Sequence, residues 1–112
     1  MLTTNQIIER TKTVTRRLGW ENLKPGDRLH ACEKCMGLRR GEKVKRLAVI
    51  EVVRNTPERL CRMALEKDYG DKEASLEGFP ELSGLQFVAM FCESMKCNST
   101  DFVNRIEFKY VD

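Results

Sequence analysis

Apolar and β-branched residues recur along the chain in short, well-separated patterns, and each pattern predicts an element. Thr3 and Gln6 have capping-box spacing with Leu2 and Ile7 at the staple positions, which predicts a short helix from Thr4 towards Arg10. Thr13 to Arg17 is β-branched and alternating, the pattern of a short strand with Lys12 at its entry. Lys24-Pro25-Gly26-Asp27 is a turn, because Pro fixes one dihedral and Gly accepts the next, and it leads into a strand near Arg28 to Cys32. After the polar, Gly-punctuated stretch Lys34 to Lys43, a hairpin-like connection, Val44 to Arg54 is apolar on both faces and reads as a central strand.

The second half is patterned differently. Thr56 and Pro57 read as N-cap and first-turn residues of a two- to three-turn helix, PERLCRMALE. Asp68 to Pro80 is acidic and turn-rich, hence loop. Ser83 and Gln86 repeat the capping-box spacing, with Leu82 and Phe87 as staple and an apolar face running through Met95. Phe102 to Val111 alternates as a half-buried strand, with Phe102, Ile106, Phe108 and Tyr110 on one face. The order helix, strands, helix, helix, strand has no βαβ rhythm and no internal repeat. It predicts an α+β fold, a small, curled, mostly antiparallel sheet or barrel flanked by helices, and with 112 residues one domain.

Charge changes this picture more than composition does. The net charge is only +3, yet residues 1 to 54 hold 13 Lys and Arg against 6 Asp and Glu, and residues 55 to 112 hold 7 against 11. That split points to a basic face for a polyanion, or to an uneven solvated surface. No apolar run approaches the roughly 20 residues of a membrane span and the amino end lacks a signal peptide's apolar block, so a cytoplasmic protein without a membrane partner is expected. There the five cysteines are thiols or metal ligands rather than a disulfide framework.

Four stretches, KTVTRR at 12 to 17, KPGD at 24 to 27, EGF at 77 to 79 and RIEF at 105 to 108, together resemble an ASCH domain, a family of the PUA-like superfamily. The resemblance covers most of the chain in the right order and implies a small β-barrel with packed helices, related to RNA-binding modules. Within the family's first motif Lys12, Thr15 and Arg17 match, while Arg10 stands where the motif has Gly. The Thr variant is similar to the bacterial amidohydrolases that deacetylate acetylated cytidine, which implies a catalytic set of Lys12, Thr15 and Glu77. The expected function is therefore binding of RNA or a nucleoside- or nucleotide-like ligand in a cleft beside Lys12, Thr15 and Arg17, with deacylation as the alternative and no cofactor. Ribonuclease activity, known in some relatives, has no motif of its own here.

The residues also carry chemistry independently of the resemblance. A Thr hydroxyl needs a base, and a Lys depressed by burial or by cations such as Arg10, Arg16 and Arg17 supplies one, while a carboxyl such as Glu77 moves the proton to the leaving amine. Against this, Thr15 reads equally as a strand residue and Lys12 as solvated. Arg16, Arg17, Arg39, Arg40, Lys43, Lys45 and Arg46 together make a candidate phosphate-facing surface. Trp20 either stacks on a base or, as most lone Trp residues do, joins the core. Cys32 and Cys35 form CxxC, and with Cys92 and Cys97 they give a four-thiolate zinc alternative, the competing reading being apolar packing. His30, the only histidine, is a further candidate ligand or a surface residue.

Overall fold

The computed structural model of the protein describes residues 4–32 and 46–111. In chain order the elements are α1 (Thr4–Ile8), β1 (Val14–Arg17), β2 (Arg28–Cys32), β3 (Arg46–Arg59), α2 (Arg62–Leu65), α3 (Lys67–Leu76), α4 (Gly84–Met95) and β4 (Phe102–Tyr110). The strands form one antiparallel sheet in the order β1-β4-β3-β2, curled into a half-barrel, so the architecture is α+β. The predicted Lys34 to Lys43 hairpin, and the Leu2 and Thr3 of the first capping motif, lie outside the described residues.

Two of the predicted elements are recast. The strand expected to stop at Arg54 continues to Arg59, so Thr56 and Pro57 are strand residues rather than a helix start, and the PERLCRMALE helix shrinks to the single turn of α2. Pro57 is tolerated there because β2 pairs with β3 only at Arg46–Glu51, which leaves one side of β3 open around the proline. The expected loop from Asp68 is instead the ten-residue α3, whose cap Glu77 and Gly78 (φ 98°) turn the chain towards α4. At the amino end α1 stops at Ile8, because Arg10 takes the left-handed conformation (φ 59°).

The capping box of α4 is formed as read, with Ser83 accepting from the Gln86 backbone and Gln86 accepting from that of Ser83. Phe87, Val88 and Phe91 on its inner face pack with Leu60, Met63, Ala74 and Val103 to make the helical core. The other sheet face buries Ile50, Val52, Ile106 and Phe108. Phe102 does not join them; it is exposed beneath the Arg59 guanidinium, 4.5 Å from its centroid.

One irregularity positions the site. Val52 pairs with Phe108 but Arg54 pairs with Glu107, so Val53 is an extra residue bulged out of β3. Strand side chains alternate with a period of two, and a one-residue slip sends every following side chain to the other face. Because of this bulge Arg54, Thr56 and Glu58 share the face of Arg16, Arg105 and Glu107, which α3 covers, instead of the face of Ile50 and Val52.

A candidate functional site of buried charge beside an arginine-lined cleft

Strand β1 sends Arg16 into the gap between sheet and α3, and the rest of the site forms around it. Its guanidinium is fully buried, with Nη2 donating to Glu73 Oε1 at 2.6 Å, Glu58 Oε2 at 2.8 Å and Tyr69 Oη at 3.3 Å, while Nη1 reaches Glu77 Oε2 at 3.3 Å. Tyr69, Glu73 and Glu77 are four residues apart along α3 and its cap, so one helical face delivers all three. Lys12 completes the group, its Nζ donating to Glu77 Oε1 at 2.8 Å and to the Glu77 carbonyl at 3.1 Å. Arg105 of β4 pairs with Glu73 from the opposite side, through Nε and through Nη2 at 3.1 Å.

Three cations, Lys12, Arg16 and Arg105, thus neutralise the three carboxylates Glu58, Glu73 and Glu77 in a place almost closed to water. Isolated charges there would be prohibitively destabilising, and the pairing is what permits their burial. Burial pushes Lys12 below the ordinary lysine value, against the upward pull of Glu77. Burial likewise pushes the Glu73 carboxyl up, but hydrogen bonds from Arg105 and Arg16 outweigh it and hold Glu73 below the carboxylate range. For Tyr69, burial and then its hydrogen bond to Glu58 push the phenol up to about 12, so it remains a donor at neutral pH.

On the outer side of this network lies a cleft of about 240 Å³ between β3, β4, α2 and α3. Arg54, Arg62 and Arg105 line it together with Tyr69, Thr56, Pro57 and Glu58. Arg62 lies over the Tyr69 ring at 4.0 Å and also bonds Glu58 Oε1 at 3.2 Å. Arg54 is the most open of the three guanidiniums, and among the described residues it is held only by a 3.9 Å approach to Glu107. Each cleft arginine is itself in an ion pair, Arg54 with Glu107, Arg62 with Glu58 and Glu66, and Arg105 with Glu73, so the cleft is lined by planar guanidiniums already balanced by carboxylates.

The sequence-predicted residues divide around this geometry. Lys12 and Glu77 do meet, as one buried pair. Thr15 is also buried, but strand alternation turns it to the sheet face opposite Arg16, and among the described residues its hydroxyl makes no hydrogen bond to either of them. Arg16, expected on a phosphate-facing surface, is corrected to the hub of the buried network, since four acceptors already occupy its guanidinium. Arg17 stays on the outer side, over the Trp20 ring at 5.3 Å, and Trp20 is exposed rather than core.

Arg39, Arg40, Lys43, Lys45 and Cys35 lie outside the described residues; Arg46 opens β3 and Cys32 closes β2. Cys92 and Cys97 neighbour one another at the end of α4, and among the described residues no three His, Cys, Asp or Glu side chains gather as metal ligands. Also among them, no helix is long and apolar enough to cross a membrane. Sequence reasoning missed Glu58, Tyr69, Glu73, Arg54, Arg62 and Arg105. The signal for two of them, Tyr69 and Glu73, was their i, i+4, i+8 spacing with Glu77, legible only once the segment is read as a helix.

The fold and site define an α+β half-barrel with an arginine-lined cleft set against a buried ion network. No family model matches the chain, and no curated protein and no solved structure matches it either.

Proposed function

We propose that the protein is a PUA-like domain of the ASCH type that binds RNA or a nucleotide-like ligand, and that the cleft between β3, β4, α2 and α3 receives it. The observation that carries this reading is the convergence of Arg54, Arg62 and Arg105 on a cleft of about 240 Å³ whose one lining carboxylate, Glu58, is already held by Arg16 and Arg62. Guanidiniums match phosphate oxygens with paired donors, and Tyr69 and Arg62 add planar surfaces for a base. The volume suits one nucleotide unit and not a duplex, so the ligand is a free nucleotide or a single-stranded segment. This moves the site from the sheet face of Thr15 and Arg17, where the sequence puts the cleft, to the face that carries Arg16 and Arg105.

The test is fluorescence anisotropy with a short labelled single-stranded RNA and competing nucleoside monophosphates at low salt. Arg54→Ala, a change at an exposed position, should weaken binding about five-fold or more while leaving the thermal transition in place. Absence of binding by RNA and nucleotide alike at low salt sinks the proposal.

A second reading, deacylation of acetylated cytidine, is favoured by one observation: Lys12 is desolvated, lowered in pKa and in contact with Glu77. In that reading Lys12 is the base and Glu77 the proton carrier, while Thr15, on the other sheet face, needs a rearrangement to take part. Release of cytidine by the wild type, lost in Lys12→Ala and Glu77→Gln, supports it. Equal turnover by Thr15→Val would remove Thr15 from the set.

A further inference from the structure

The carboxyl end of α4 brings two thiols together by backbone geometry. Lys96 caps the helix in the left-handed conformation (φ 53°, ψ 49°), and its N–H donates to the Cys92 carbonyl. The next N–H, of Cys97, turns back onto the same carbonyl at 3.2 Å. A left-handed cap with a six-residue return bond places the residue beyond the cap against the side chain at the start of the last turn, a position usually filled by an apolar contact. Here both positions are cysteine, and the Cys92 thiol lies near enough to raise the pKa of the Cys97 thiol. Both are half-buried on the helical core, and neither is disulfide-bonded.

We propose that Cys92 and Cys97 are a dithiol–disulfide couple, a site of reversible oxidation by low-molecular-weight disulfides such as oxidised glutathione. Residues joined by a direct backbone hydrogen bond lie within the roughly 4.4–6.8 Å Cα separation that a disulfide spans. One thiol gives up its proton, attacks a sulfur of the small disulfide and releases one reduced thiol. The second thiol then attacks the protein sulfur of the mixed disulfide, forming the Cys92–Cys97 bond and releasing the second reduced thiol. Two protein thiols are oxidised as one small disulfide is reduced, so electrons and protons balance. Burial and the neighbouring Cys92 thiol push Cys97 above the ordinary thiol value, which lowers its thiolate fraction at neutral pH. The bond would clip the helix end to the turn that carries Ser99 and Asp101, whose carbonyls accept from the backbone of Cys61 and Leu60.

The experiment equilibrates the full chain in glutathione buffers of graded ratio, quenches with acid, alkylates and digests with trypsin without reductant. Trypsin cuts after Lys96, between the two cysteines, so the oxidised pair appears as residues 73–96 joined to 97–105. The joined peptides are expected, with a midpoint at a ratio about ten-fold more reducing than for the same chain in urea, because folding raises the effective concentration of the thiols. Separate alkylated peptides across the whole series, a bond from either residue to another cysteine, or the same midpoint in urea would each overturn the proposal.

Discussion

Arg16 shows how far the role of a residue can lie from its sequence neighbourhood. In TKTVTRR it reads as one of three surface cations, yet its guanidinium is the shared partner of Glu58, Glu73 and Glu77. Deleting one partner of a buried pair costs about 3–5 kcal/mol, because the other charge is left without compensation. Arg16→Met takes the shared cation from three carboxylates and leaves each with one remaining cationic partner, Lys12 on Glu77, Arg105 on Glu73 and Arg62 on Glu58; it is expected to cost about that much, seen in urea as a lower midpoint with an unchanged slope. A loss under about 1 kcal/mol would show that the carboxylates find other partners. Lys12 offers a pH test of the same network. Its folded pKa is lowered, so the unfolded chain holds the proton to higher pH than the folded one. The proton's cost to stability is therefore fully present below the folded value and relieved as pH rises through it towards the unfolded value. Relative to Lys12→Met, the wild type should gain stability with rising pH across that alkaline window, measured by denaturation at each pH.

Elements were legible where one local rule decided them and illegible where tertiary contact did. The capping box and staple around Ser83 placed α4 correctly, and TVTRR, RLHAC and the final alternating run placed β1, β2 and β4 to within a residue or two. Thr56-Pro57 misled, because an N-cap followed by Pro is also what a strand with a free side accepts. The acidic stretch after Asp68 misled through Gly70, which reads as loop punctuation but is a helix position pressed against backbone: a Cβ there would lie 1.8 Å from the Met63 carbonyl oxygen. A Cβ at Gly84 would lie 2.1 Å from the same atom, so the two glycines let α2, α3 and α4 approach. The Val53 bulge left no mark that a strand pattern shows, and with it went the faces of Arg54 and Glu58. Lys12 and Glu77, which the family resemblance names together with Thr15, meet across 65 residues of sequence, a contact that no local pattern shows. Gly70→Ala is expected to destabilise by about 1–3 kcal/mol despite Ala's better helix propensity, because the clash is with backbone. A thermal transition at or above that of the wild type would mean that the helices can separate without loss.

At the scale of the molecule, the basic first half and the acidic second half meet in the buried network. Lys12 and Arg16 from the first pair with Glu58, Glu73 and Glu77 from the second, so part of the asymmetry is neutralised inside the fold instead of on a surface. Two cationic regions then compete for a polyanion: the cleft of Arg54, Arg62 and Arg105, and the sequence segment holding Arg39, Arg40, Lys43, Lys45 and Arg46. Salt separates them, since each cation on a single strand contributes about 0.7 to the slope of log affinity against log salt. Recognition in the cleft alone gives a slope of about −2, and Arg54→Ala lowers its magnitude by about 0.7. Recognition dominated by the basic segment gives a slope of about −3 or steeper that falls with Arg39→Ala and is untouched by Arg54→Ala. The cleft reading requires the first pattern, because three guanidiniums on one side of a small pocket set an upper limit on the phosphate charges they can neutralise.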